Sequence, residues 1–146
     1  MTRVRVSDDD GSTLLLTIFF SALTLTVILM GVAATSLYLE QKRLFDLADG
    51  AALVGAESFD IASISLTGDG PRPGLRSSQI SAAVNEYVAD NARGNFAGLA
   101  VEHAGTPDGL SARVTLSAYW RPPVLNLLAP DGFRIEASTV ARAVFR

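Results

Sequence analysis

The chain has no cysteine, and this absence excludes several kinds of chemistry. Its 146 residues can form no disulfide framework, no thiolate metal site and no cysteine nucleophile. Basic residues are not in excess either, because twelve lysines and arginines stand against fifteen acidic residues. Without a basic patch to contact phosphates, nucleic acid is not an expected partner.

The residues that could carry catalysis lack the companions that catalysis requires. His103 is the only histidine, and we expect it on a short strand where it and Glu102 point to opposite faces. Residues 68–74 are rich in glycine but lack the lysine and the preceding strand of a phosphate-binding loop. We therefore predict a structural or solvent-exposed histidine, a linker at 68–74, and a non-enzymatic protein with no metal, no cofactor and no small-molecule substrate.

Charge is also absent from one long stretch near the N-terminus, residues 12–39. These 28 residues would form a helix about 42 Å long, whereas the hydrocarbon core of a bilayer is about 30 Å thick. The stretch is too long for the apolar part of a cleaved secretory signal, so a retained membrane anchor is predicted. The flanking basic residues do not fix its orientation, because two precede it, Arg3 and Arg5, and two follow it, Lys42 and Arg43.

Glycines weaken the helical pattern after residue 12, but nothing stops it before the glycine- and proline-rich segment that begins at 67. We therefore predict four regions. They are a polar leader at 1–11, a transmembrane helix at 12–39, a helical extension at 40–66 and a small α+β domain at 67–146.

Two periodicities in the C-terminal region indicate its α+β character. Apolar residues from Ile80 to Val88 recur at helical spacing, which predicts a second, amphipathic helix with Ser77 or Ser78 as its N-cap. Alternation with a period of two follows around 99–104, 112–121 and 133–145. This pattern is typical of a small antiparallel sheet of about three strands with one buried face.

Two sets of small residues suggest faces where α-helices pack closely. The first lies at alternating steps of four and three in the apolar helix and consists of Thr17, Ser21, Thr24, Ile28, Gly31 and Thr35. The second consists of Ala48, Ala52 and Ala56. Small and hydroxylated residues allow close approach and interhelical hydrogen bonds in lipid. Alternatively, each hydroxyl of the first set bonds the carbonyl four residues earlier in its own helix.

An apolar loop is expected between the last two strands. It contains Val124, Leu125, Leu127 and Leu128. A contiguous exposed patch of this kind is unfavourable in water, so the loop either covers the end of the sheet or docks on a partner or the bilayer.

The segment 38–56, read as Tyr-Leu-Glu-Gln-Lys-Arg-Leu-Phe-Asp-Leu-Ala-Asp-Gly-Ala-Ala-Leu-Val-Gly-Ala, follows the apolar helix directly. Together with Gly11-Ser12 and Arg43-Leu44, it resembles the N-terminal region of the TadE/TadG-like proteins of tight-adherence (Flp) pilus systems. The resemblance covers residues 11–59, and the sheet region agrees only in general character.

The resemblance implies a pilin-like, single-pass protein of the bacterial cell membrane, with a cytoplasmic N-terminus and an extracytoplasmic C-terminal domain. It would serve as a minor pilin or assembly factor, with the membrane, other pilus or secretion-system proteins and copies of itself as partners. Prepilin-like members are cut after a glycine, which makes Gly11-Ser12 the candidate bond. Leu16 occupies the place where pilins usually carry a glutamate. The alternative function is a membrane-tethered binding or adhesin module outside any filament.

Overall fold

The structure is a computed structural model, and it describes residues 9–58, 65–67, 70–72, 74–92, 96–122 and 131–143. The elements are helix α1 (Asp9–Glu57), strands β1 (Ser65–Thr67) and β2 (Gly70–Arg72), helix α2 (Ser77–Asn91), and strands β3 (Ala97–Gly105), β4 (Ser111–Trp120) and β5 (Phe133–Arg142). The predicted α+β fold, with a long N-terminal helix, a second helix and a three-stranded antiparallel sheet, is confirmed.

Helix α1 is a single helix of 49 residues that ends at Glu57. The predicted end at residue 66 is wrong. Both the backbone N–H and the hydroxyl of Ser58 donate to the carbonyl oxygen of Gly55, at 3.4 and 2.8 Å. Serine competes in this way for backbone groups, so it can end a helix where no glycine or proline marks the end.

The three-stranded sheet has the order β3-β4-β5, with both pairs antiparallel. Alternate residues of the central strand are buried, as its period of two predicted. They are Ala112, Val114, Leu116, Ala118 and Trp120. Helices α1 and α2 cover this face and complete the core.

Strand β3 departs from the predicted alternation. Its register against β4 shifts between Val101 and His103, so Glu102 and His103 are both exposed instead of lying on opposite faces. An extra residue in one strand of a pair breaks the alternation from that point. The exposed position of His103 agrees with the solvent-facing role expected for it.

Helix α2 packs on the core through Ile80, Val84 and Val88, as its spacing predicted. Its N-cap is Arg76, without a side-chain capping bond, so the prediction of Ser77 or Ser78 is wrong. The Ser77 hydroxyl accepts a bond from the backbone N–H of Thr106 at 3.3 Å instead. Tertiary contact with the end of β3 therefore replaces local capping.

The segment predicted as a linker, 68–74, contains strand β2, and β1 lies just before it. Strands β1 and β2 pair antiparallel, with Ser65 opposite Arg72 and Thr67 opposite Gly70. Three residues on each side are too few for an independent sheet.

Candidate assembly surface on the N-terminal helix

The first half of α1 is apolar and uncovered. The large side chains from Leu14 to Ile28 are roughly half exposed or more, and no side chain described between Ser12 and Ile28 is buried. Among the described residues, α1 is the one helix long and apolar enough to cross a membrane. An apolar surface of this size is stable in lipid or against another protein, but not in water.

The domain begins to cover α1 only near the end of the uncharged run. Ala33 and Leu37 are partly buried against the core, and Nε1 of Trp120 donates a hydrogen bond to the Ser36 hydroxyl at 3.2 Å. The remaining residues of the run, 12–31, form a helix of about 30 Å, which equals the thickness of a hydrocarbon core. The excess length of the apolar run is thus in contact with the domain.

The threonine hydroxyls of the predicted small-residue stripe bond within their own helix. Thr17, Thr24 and Thr35 donate to the carbonyl oxygens of the residues four positions earlier, at 2.8, 2.8 and 2.9 Å. This is the alternative that the sequence left open. The stripe would therefore contact a partner helix through close packing and not through these hydroxyls. There is room for such a helix at Gly31, because a Cβ added there would meet nothing within 4 Å.

The stripe and the domain lie on opposite sides of α1. At 3.6 residues per turn, Gly31 and Thr35 each point about 160° away from Ala33. Gly31 and Thr35 are exposed, whereas Ala33 is half-buried against the domain. A second helix could therefore approach the stripe without contacting the domain.

The second predicted face is occupied by the chain's own domain. Ala48 and Ala52 are fully buried and Ala56 nearly so. The Thr139 hydroxyl of β5 donates to the Ala48 carbonyl oxygen at 2.9 Å. A Cβ added at the neighbouring Gly55 would lie 3.1 Å from Cγ2 of Ile80. These small residues let α2 and the sheet approach the helix backbone, so no partner helix can use the same face.

Sequence reasoning missed three large apolar side chains that stay exposed on this part of α1. Tyr38, Phe45 and Leu53 are 66%, 50% and 57% exposed. At 100° per residue only Leu53 points the same way as Thr35 of the stripe, whereas Phe45 points within about 20° of Ala52. No signal in the sequence separates them from Leu44 and Leu47, which are also large and apolar but are buried on the same helix.

The predicted processing site lies at the start of α1. Gly11 is in the first turns of α1, Ser12 is exposed, and Leu16 is exposed on the same helix. The apolar loop with Val124, Leu125, Leu127 and Leu128 lies outside the described residues.

Asp108 and Glu102 are two ionisable residues whose carboxylates accept hydrogen bonds within the domain. No group of three or more histidine, aspartate and glutamate residues there could hold a metal ion. Backbone N–H groups of Leu110 and Ser111 donate to the Asp108 carboxylate and lower its pKa. On the outer face of the sheet, Glu102 accepts from the Ser117 hydroxyl at 2.6 Å and pairs with Arg134 at 3.0 Å.

An uncovered apolar helix that continues into a small domain defines a class of α+β proteins whose N-terminal helix is suited to membrane anchoring. Residues 11–58 match the family described as Putative Flp pilus-assembly TadE/G-like, which confirms the resemblance over this segment. No curated protein and no solved structure matches the chain. The matched segment is nearly the whole of α1, and it suggests a structural, pilus-related role.

Proposed function

We propose that this chain is a single-pass membrane component of a Tad/Flp-type pilus or a related secretion machine. Its N-terminus would lie in the cytoplasm and its C-terminal α+β domain outside the membrane. It would act as a minor pilin or assembly factor through contacts between helices and between domains, without catalysis. The family match over residues 11–58 is the observation that carries this proposal.

The continuity of α1 supports an assembly role. One unbroken helix runs from the uncovered segment into the core, where Leu44 and Ala48 are fully buried. The buried bond from Thr139 to the Ala48 carbonyl fixes the sheet to the same helix. A displacement of the membrane segment along its axis would therefore move the domain with it, because no joint lies between them.

The surface available for partners is the part of α1 that the domain leaves exposed. In lipid it would present the small-residue stripe, where Gly31 leaves open space for a second helix. Outside the hydrocarbon core it would present Tyr38, Phe45 and Leu53. Both parts remain accessible when the domain is folded, whereas the alanine face does not.

The candidate bond for proteolytic processing lies between Gly11 and Ser12. A glutamate five residues after such a bond would offset the free α-amine of a neighbouring subunit in lipid, where an unpaired charge is costly. Leu16 cannot do so, which favours an unprocessed chain or a special position such as a filament tip. Determining the N-terminal residue of the protein from native membranes tests this. Ser12 at the N-terminus establishes cleavage, and Met1 or Thr2 contradicts it.

Deletion of the gene in its host tests the proposed function directly. We expect loss of surface fibres and recovery when the full chain is supplied from a plasmid. A chain carrying only the domain, without residues 12–31, serves as the control and should not restore fibres. Normal fibres in the deletion strain would contradict the assembly role and favour the tethered binding or adhesin module.

A further inference from the structure

Strand β4 runs along α1 toward the uncovered segment. Near its start, Ala112 lies beside Gly55, since a Cβ added at Gly55 would be 3.3 Å from that of Ala112. At its end, Trp120 donates to Ser36 at 3.2 Å. Because β5 and β3 pair antiparallel with β4, the start of β5 lies at the same end of the domain. This end, with Trp120, Phe133, Tyr119 and Arg121, is here called the proximal end.

The helix length fixes the level of the proximal end relative to a bilayer. With residues 12–31 spanning the hydrocarbon core, Ser36 lies about 7 Å beyond its edge. Each headgroup layer is roughly 5 to 8 Å thick. Exposed Arg121 prevents a deeper position, because a charged side chain in hydrocarbon is costly. The proximal end therefore lies at the level of the headgroups.

The side chains at this level have the composition of a membrane interface. Phe133 is 54% exposed, and its ring packs against that of Trp120 with centroids 6.0 Å apart. Tyr119, on the neighbouring strand position, and Tyr38, on α1, are also exposed. Aromatic residues with a polar group favour the headgroup layer, and exposing several together to water is unfavourable.

We propose that the proximal end of the domain rests on the outer headgroup layer of the bilayer, so that lipid is a second binding partner of the folded domain. This proposal rests on the membrane anchoring in the proposed function. The buried packing of α1 against the sheet would hold the domain at a fixed height on the helix, and Phe133, Tyr119 and Tyr38 would contact the lipids.

The single tryptophan of the chain provides the test. The full chain is reconstituted in vesicles of phosphatidylethanolamine and phosphatidylglycerol and first checked by flotation. Emission is then measured with lipids brominated near the headgroup or near the bilayer centre. We expect a loss of Trp120 emission that is larger with the shallow bromines. Because Trp120 is mostly covered, the double variant Trp120→Phe, Phe133→Trp places an exposed indole at the same level and should be quenched more strongly.

The matched control moves the indole to the other end of the sheet. Val140 is 54% exposed and pairs with Arg113, near the start of β4. The variant Trp120→Phe, Val140→Trp should show no quenching. If all indoles are equally unquenched in chains that float with the vesicles, the headgroup contact is wrong and the anchoring stands. If the chain does not float, the anchoring and the headgroup contact are both wrong.

Discussion

Replacement of Leu44 by alanine tests whether α1 is part of the domain core. Leu44 is fully buried among the residues that join the helix to α2 and the sheet. Leucine-to-alanine changes at such positions cost about 2–5 kcal/mol, because transfer free energy is lost and a cavity remains. The small neighbours along this face of α1 offer few atoms that could fill the cavity. We therefore expect a loss of about 3 kcal/mol in the free energy of unfolding.

Phe45→Ala is the matched control, since Phe45 is the next residue and is half exposed. Removing a half-buried ring should cost about 1 kcal/mol. Unfolding of the full chain in detergent micelles is followed by Trp120 emission in urea. At a slope of about 2 kcal/mol/M, Leu44→Ala should lower the midpoint by about 1.5 M, and Phe45→Ala by about 0.5 M. Equal midpoints for both variants and the parent chain would show that α1 does not complete the core.

Three further predictions concern the domain and its orientation. Gly132 and Gly109 both have φ of +73°, but only at Gly132 would a Cβ meet backbone, 2.6 Å from the Trp120 carbonyl oxygen. Gly132→Ala should therefore lower the urea midpoint more than Gly109→Ala, which carries only the left-handed penalty of about 1–2 kcal/mol; an equal loss would contradict the close approach. The backbone N–H of Leu110 is the chief cause of the lowered pKa of Asp108 in the folded chain. The Asp108 carboxylate therefore stabilises the fold at pH values above its unfolded-state pKa, and this stability is lost as the pH falls through its folded-state pKa. Thermal melts of Asp108→Ala should accordingly lie below those of the parent at pH 7 and depend less on pH below about 4; parallel pH profiles would refute this. Because the chain has no cysteine, Pro107→Cys gives a single thiol in an exposed turn. A membrane-impermeant maleimide should label it in spheroplasts, and labelling only after lysis would reverse the proposed orientation.

The sequence predicted the elements of the fold wherever one periodicity acts over a long segment. The buried apolar residues of β4 follow a strict alternation, and the apolar face of α2 follows helical spacing, so each pattern has one structural solution. The predicted end of α1 was wrong because Ser58 bonds locally to Gly55 without a glycine or proline to mark the end. The predicted N-cap of α2 was wrong because Ser77 bonds Thr106, which is distant in the sequence. The sequence pattern did not predict the register shift in β3, because His103 is exposed and the strand is only partly buried.

The candidate surface was predictable in part for the same reason. Composition alone identified the apolar helix, because length and absence of charge suffice for that inference. It could not distinguish the two small-residue faces. Ala48 and Ala52 are covered by the chain's own sheet, whereas Gly31 and Thr35 face away from it. That difference follows from the tertiary packing of elements far apart in the sequence.

Photocrosslinking from neighbouring positions of α1 in native membranes tests the central claim, that the uncovered helix contacts other components of a pilus machine. Ser21 belongs to the stripe, and Ala22 lies at nearly the same depth but points about 100° away. Both are exposed, so a photoreactive residue at either position leaves the domain intact. We expect a covalent adduct between the chain and another membrane protein of the pilus system when the photoreactive residue is at position 21. We expect little of this adduct when it is at position 22. Adducts with lipid alone from both positions would contradict it.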